Sequence, residues 1–277
     1  MMPPLAGKNS LSPVLFLDFD GTLAPIAPRP DTVHLDPRER DLLEALGRLL
    51  PVFVISGRAF PDIEGRLPVP ALSGLSGDHG AVRRFRDRLT IHPEAMRARQ
   101  ALSDWSPSIR ALAGKVPGAL AEIKEFSLSL HYRGVEPEGR TRLLSGVERL
   151  FQSWGERDRF RIFEGKMVWE IRPLGGVTKE ETMDFFLDLL AREEGKEPGG
   201  FFPVMVGDDT TDLAAVNHAV ALGGRGFWVG EPPSGLDPGA FLLKDSAEVW
   251  ALLSRLRDDL ERGADFRVPL GAPVRKG

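Results

Sequence analysis

Two short apolar runs in this chain each end in a cluster of carboxylates, and that pattern admits few folds. The first is Val14-Leu-Phe-Leu-Asp-Phe-Asp-Gly-Thr22, and the second, far downstream, is Val204-Met-Val-Gly-Asp-Asp-Thr-Thr-Asp212. A short apolar run that stops at Asp, Gly and Thr reads as a buried parallel strand delivering acids to its carboxyl end. Open α/β sheets bind ligands in the crevice outside those ends. Two such strands side by side would gather Asp18, Asp20 and Asp208, with Asp212 as a further member. Like charges that close repel, so a cation is expected among them. A donor set made only of oxygen favours Mg2+, which keeps some waters for a phosphate to displace.

With 277 residues, 42% of them hydrophobic and 27% charged, the chain can bury the core of one or two domains. A net charge of −4 argues against a nucleic-acid partner, which demands a basic face. There is no cysteine, so disulfides and thiol chemistry are excluded, and a cytoplasmic location is expected. No segment carries the roughly 18 uninterrupted apolar residues of a membrane span. The ends, 1–11 and 263–277, read as loosely structured tails, and the first lacks an apolar signal core.

Pro28-Arg-Pro-Asp31 reads as a loop, followed by a helix over Pro37–Leu50 with Asp36 as its cap and Pro37 at its first position. Val52-Phe-Val-Ile-Ser56 is a second buried strand, so the unit is β-α-β with a parallel sheet. Ala71–Gly80 and Ala81–Phe85 read as further short strands. Between Ile91 and Leu174 the pattern becomes helix, strand pair, helix, strand pair, with the last pair a hairpin around Glu164-Gly165. That predicts an antiparallel sheet with helices on one face, inserted into the α/β domain. The expected division is a discontinuous core of 12–90 and 175–262 and an inserted domain of 91–174. A helix over Thr178–Glu194, a strand over Phe202–Val206 and a closing helix over Ser246–Leu260 complete the core.

Strand periodicity puts Asp18 and Asp20 on one face, so two acids can serve one substrate differently. Asp18 is placed as a carboxylate nucleophile toward phosphorus, and Asp20 as the acid and base that protonates the leaving alcohol and activates water. Gly21 permits a tight turn beside a phosphate, and Thr22 offers a hydroxyl and an amide. Ser56, Gly57 and Arg58 follow a strand and precede a helix, where a hydroxyl and amides hold phosphate oxygens. Lys179 begins a helix, where a cation opposes the dipole and a bound anion would explain it.

In this order, Asp18-Phe-Asp-Gly-Thr22, Ser56, Lys179 and Gly207-Asp-Asp-Thr-Thr-Asp212 resemble the motifs of the haloacid-dehalogenase superfamily of phosphohydrolases. The resemblance implies a Rossmann-like core with an inserted α+β cap of the superfamily's larger type. It also implies Mg2+ on the Asp18 side chain, the Asp20 carbonyl and Asp208. Thr22, Ser56, Gly57 and Lys179 would bind phosphate, with Asp209 or Asp212 supporting the metal. Within the superfamily, Glu122-Ile-Lys124, Gly77-Asp-His-Gly80 and Gly165-Lys-Met-Val-Trp-Glu-Ile-Arg-Pro173 are similar to the pattern of trehalose-6-phosphate phosphatases. That likeness implies that Glu122, Lys124 and Glu170 contact a disaccharide, with Arg58 and His79 nearby. The chain departs from the pattern at Glu180, Leu213 and Asp78.

The expected function is hydrolysis of trehalose 6-phosphate by a monomer whose partner is a small sugar phosphate, with neither nucleic acid nor membrane involved. Phosphatases of sucrose phosphate or of glucosyl- or mannosyl-3-phosphoglycerate, a phosphomutase, and a non-catalytic sugar-phosphate sensor remain alternatives.

Overall fold

The computed structural model describes residues 11–27, 32–165, 167–174 and 178–264. The expected loop at Pro28–Asp31, the Gly175–Val177 approach to Lys179 and most of both expected tails lie outside the described residues. In chain order the elements begin β1 (Ser12–Leu17), α1 (Pro37–Leu49), β2 (Val52–Ile55), α2 (Phe60–Arg66), β3 (Gly74–Gly77), β4 (Val82–Phe85) and β5 (Arg88–Ile91). Next come α3 (Pro93–Ala113), β6 (Leu120–Ile123), β7 (Leu128–His131), α4 (Pro137–Ser153), β8 (Phe160–Gly165) and β9 (Val168–Pro173). The chain closes with α5 (Lys179–Glu194), β10 (Phe201–Gly207), α6 (Thr210–Ala221), β11 (Arg225–Val229), β12 (Phe241–Leu243) and α7 (Ser246–Glu261).

The chain falls into two compact units. One runs to Leu89 and resumes at Thr178, and the other is Thr90–Val177. The first unit is built on a sheet in the order β12-β11-β10-β1-β2-β3-β4-β5, parallel from β12 to β3 and turning antiparallel at β4. From β1 the chain steps outward to β2 and β3, and later returns to β1's other side as β10. The strand order therefore reverses between β1 and β10, which is where an open α/β sheet leaves a crevice. The central strands β1, β2 and β10 are largely buried apolar runs, as expected of parallel strands covered on both faces. On one face Phe53 stacks between Phe16 at 5.1 Å and Phe186 of α5 at 4.5 Å between ring centres. α1 starts where the sequence predicts: Asp36 caps it, Glu39 reaches back to the Asp36 amide, and Leu43 and Leu46 turn inward.

The second unit is an antiparallel sheet, β6-β7-β9-β8. Alternation sends Leu128, Leu130, Trp169 and Ile171 into a core with Leu102, Trp105 and Ile109 of α3 and Leu143 and Val147 of α4. Trp105 stacks on Trp154 at 4.5 Å. Two local expectations change. The hairpin does not turn at Glu164-Gly165, because Gly165 pairs with Val168 and the reversal uses Met167 in the left-handed region at φ 65°. Of Ala71–Gly80 only Gly74–Gly77 is strand, and Asp78, His79 and Gly80 take successive positive φ values of 51°, 55° and 104°. Among the described residues no helix is long and apolar enough to cross a membrane.

Candidate active site

The site grows from the reversal point of the parallel sheet. The Asp18 amide donates to Val206 O at 3.0 Å, continuing the β1–β10 pairing one residue past the last strand pair, Leu17 with Val206. Asp18 is therefore level with Gly207, and Asp208 follows one residue further on at the end of the neighbouring strand. Asp18, Asp208 and Asp212 each present an oxygen within 4.8 Å of the others, and all three are buried. Gly21, at φ +89°, is required here, since a Cβ would lie 2.2 Å from Asp208 Oδ2. The loop around it is closed by Gly21 N to Ala24 O (2.7 Å) and Ala24 N to Phe19 O (2.9 Å). Trp250 of α7 holds it from behind through Nε1 to Leu23 O at 2.9 Å. Beside the acids, the fully buried Thr22 Oγ1 has no hydrogen-bond partner among the described residues. A buried hydroxyl in that condition is costly unless a ligand completes it.

Lys179 opens α5, whose first turn is already satisfied by the Thr178–Glu181 capping box. Its buried Nζ donates to Asp18 Oδ1 and to Asp212 Oδ1, both at 2.6 Å. The anions that explain a lysine at this helix start thus include two of the protein's own carboxylates. Burial pulls the Lys179 ammonium down, but Asp18 and Asp212 outweigh it and hold it firmly protonated. For Asp18 burial dominates and raises the carboxyl well above its usual range. Asp212 and Asp208 push the same way, against the pull of Lys179. Ionised together, the three acids exceed the one ammonium, and a divalent cation would restore the balance.

The residues fit such an ion. All their donors are oxygens, the choice of a hard cation. Asp212 is committed elsewhere: Oδ1 takes Lys179, and Oδ2 accepts from the amides of Asp208 (3.3 Å) and Asp209 (3.1 Å). It holds the loop that carries Asp208. The Asp209 side chain caps α6, accepting from the Thr210 amide at 2.6 Å.

Asp20 is not in this cluster. Arg58 grips it with a two-pronged fork, Nε to Oδ2 and Nη2 to Oδ1, both at 2.6 Å. The fork is an observation that sequence reading missed, since nothing local links residues so far apart. Burial lowers the Arg58 guanidinium, and the bonds to Asp20 and Asp62 more than reverse that. Ser56 is fully buried with Oγ accepting the Arg58 amide at 3.1 Å. His79 N donates to Ser56 O at 3.0 Å, and its ring lies so close to Gly57 that a Cβ there would be 2.4 Å from Cε1. Ser56, Gly57, Arg58 and His79 are thus neighbours.

The other three predicted residues share the second unit. Glu170 is buried, and its Oε1 accepts from Lys124 Nζ (3.2 Å), Ser127 Oγ (3.0 Å) and Ser129 Oγ (3.0 Å). Arg172 Nε lies 3.6 Å from its other oxygen. Glu122 pairs with Ser129 across β6 and β7, and its carboxylate meets His131 Nε2 at 2.8 Å. That bond holds the Glu122 carboxyl below its usual range, against burial and with help from Lys124. Alternation alone lines up Ser127 and Ser129 on one face, and strand register brings them and Arg172 to Glu170.

A mostly parallel sheet with acids at its reversal point and an inserted antiparallel sheet make up a fold of the haloacid-dehalogenase type. The solved structure of a trehalose-6-phosphate phosphatase related protein has this fold, with a TM-score of 0.73 at 22% identity, covering 88% of this chain and 97% of that one. The chain belongs to the trehalose-phosphatase family, whose model matches residues 16–219. A trehalose-phosphate phosphatase of Mycobacterium leprae is 31% identical over 74% of this chain and 48% of its own length. An uncharacterized glycosyl hydrolase of Mycobacterium tuberculosis is 32% identical over 93% of this chain, which spans only 19% of that relative.

Proposed function

We propose that the chain is a Mg2+-dependent phosphatase that hydrolyses trehalose 6-phosphate to trehalose and phosphate, as a cytoplasmic monomer. The observation that carries this reading is the convergence of Asp18, Asp208 and Asp212 at adjacent strand ends, with Lys179 joined to Asp18 and Asp212 at 2.6 Å. Family membership and the relative's name supply the sugar. In this reading the first compact unit is the catalytic core and the second the sugar-binding domain.

Asp18 attacks phosphorus through one carboxylate oxygen, forming an O–P bond as the bond from phosphorus to the sugar oxygen breaks. The carboxyl proton of Asp20 goes to the departing alkoxide, giving the free sugar hydroxyl. Asp20, now a carboxylate, takes a proton from water as that water's oxygen attacks the aspartyl-phosphate, releasing phosphate and restoring Asp18. Lys179, the Thr22 hydroxyl and Ser56 hold phosphoryl oxygens, where fixed donors in a dry site stabilise developing charge. Asp18, Asp208 and the Asp20 carbonyl would hold Mg2+, which when bound draws charge from a phosphoryl oxygen and offsets the surrounding acids. Glu122, Lys124 and Glu170 are assigned to the sugar hydroxyls, with Arg58 and His79 near the sugar.

Phosphate release should be measured on trehalose 6-phosphate, sucrose 6-phosphate and glucosyl-3-phosphoglycerate. The highest kcat/KM belongs to trehalose 6-phosphate, and a different leader sinks the sugar assignment. Asp18→Asn removes nearly all turnover while the fold persists. Retention of a tenth of it, a barrier change of only about 1.4 kcal/mol, would exclude Asp18 as nucleophile. EDTA abolishes activity and added Mg2+ restores it. Full turnover after exhaustive chelation would exclude the metal.

A further inference from the structure

Arg58 lies among groups that each restrict it. Its fork closes on both oxygens of Asp20 at 2.6 Å, and its remaining arm, Nη1, donates to Asp62 Oδ2 at 2.9 Å. Its guanidinium carbon sits 5.4 Å from the centre of the fully buried Phe19 ring. Asp62 is held in turn by Arg66, whose Nε donates to both of its oxygens at 2.9 and 3.0 Å. Arg66 is anchored on the Val33 carbonyl. The arginines are buried, with side chains 9% and 10% exposed, whereas the Asp20 and Asp62 carboxylates are each 40% exposed. A relay therefore runs from the backbone at Val33 through α2 to a half-exposed Asp20. Both Arg66 and Asp62 lie on α2, one turn apart, so the helix itself fixes the relay's middle.

A carboxylate at the end of a strand has two free side-chain torsions, and proton transfer depends on placing one oxygen within about 3 Å of the reacting atom. A planar guanidinium gripping both oxygens fixes the position and plane of the carboxyl group, which a lysine cannot do. We propose that Arg58 is a positioning residue for Asp20, and that the relay through Asp62 and Arg66 sets the orientation from which Asp20 serves the leaving oxygen. The inference rests on the phosphatase reading and on Asp20 as its acid and base. It gives Arg58 a task that acts through Asp20, distinct from contact with the sugar.

The test uses the full chain with Mg2+ and a series of phosphate monoesters that carry no sugar, from nitrophenyl phosphate to a simple alkyl phosphate. A nitrophenolate leaves readily without a proton, whereas an alkoxide does not. Arg58→Ala lowers kcat/KM on the alkyl ester by roughly 10²-fold, the size of a displaced general acid, and on the nitrophenyl ester far less. Arg58→Lys restores only part of the loss. Asp62→Asn, which keeps the shape of the side chain and is compared with wild type by thermal midpoint as well as rate, shows the same leaving-group dependence at smaller size. In an Asp20→Asn background Arg58→Ala adds little further leaving-group dependence, because two residues acting through one group are not additive. Equal losses along the series, or a full additional dependence in the double variant, would overturn the proposal. A loss confined to trehalose 6-phosphate would also overturn it and make Arg58 a sugar ligand. Failure of the wild-type chain to release phosphate from any ester is a separate result, overturning the phosphatase reading and this inference with it.

Discussion

Lys179 and Asp18 are partners in one ion pair, yet their removal should move stability in opposite directions. Lys179 is the one ammonium bonded to Asp18 and Asp212 at 2.6 Å, in a place where three carboxylates crowd together. Removing it leaves buried acids without their counter-charge, a change that costs about 3–5 kcal/mol when a buried pair is broken. Removing the charge of Asp18 relieves repulsion, and Lys179 keeps Asp212. In metal-free buffer, urea denaturation of Lys179→Ala should show a loss of that size, while Asp18→Asn should be neutral or more stable than wild type. A destabilised Asp18→Asn would mean that the pair, not the crowding, dominates. The convergence of Asp18, Lys179 and Asp208 was legible in the sequence because each sits beside a strand or helix end whose signals are local, whereas Asp20 was expected in the same cluster and stands apart from it. The Asp20–Arg58 fork was not legible, because an arginine after Ser-Gly has many uses and only the parallel pairing of β1 with β2 brings the two together. Glu170 was named only through the resemblance, and its bonds to the serines depended on a register that alternation alone does not give.

At the scale of the element, α2 shows how a helix start can be completed from elsewhere in the chain. Ala59, its own cap residue, offers no side-chain acceptor, and the Phe60 amide donates instead to Asp78 Oδ2 at 3.0 Å. Asp78 does this from the left-handed region, at φ 51°, while its amide donates to Arg58 O at 2.6 Å. Asparagine tolerates that backbone and carries an equivalent acceptor oxygen; alanine does neither. Asp78→Asn should therefore stay within about 0.5 kcal/mol of wild type, and Asp78→Ala should lose about 1–3 kcal/mol, both by urea denaturation. If alanine is tolerated as well as asparagine, the distant cap has no role in α2. The same turn marks the limit of pattern reading. Helices such as α1 and α7 carry their caps and apolar spacing within their own sequence, and their bounds fall within a residue of those expected. The strand pattern through Ala71–Gly80 ends early because Asp78 and His79 leave extended geometry to meet a loop remote in sequence. The hairpin turn shifts for a similar reason, with Gly165 retained in the β8–β9 ladder.

The whole molecule divides its proposed chemistry and its proposed recognition between two compact units, and a substitution in the second can act on substrate or on that unit's own stability. The three sugar-binding candidates differ in how well they separate these effects. Glu170 and Lys124 have side chains only 10% and 9% exposed and are joined to each other, so truncating Glu170 takes a buried counter-charge from Lys124 and Arg172 and loosens the sheet. Glu122 has a side chain 45% exposed and is held by His131 near the sheet edge, where a surface pair is worth at most about 1 kcal/mol. Glu122→Ala is therefore the cleaner probe. A lost hydrogen bond from a charged group to a sugar hydroxyl should lower kcat/KM on trehalose 6-phosphate by about 10- to 100-fold. Binding energy from a remote sugar is also used to position the reacting phosphate, so part of the loss should appear in kcat. On nitrophenyl phosphate, which has no sugar to contact, the loss should be much smaller, and the thermal midpoint should move little. Glu170→Ala should lower both rates together with the thermal midpoint, as expected of a residue that supports the sheet as well as the substrate. Equal losses on both esters for Glu122→Ala would remove it from the sugar, and with it the reason for assigning a disaccharide to the second unit.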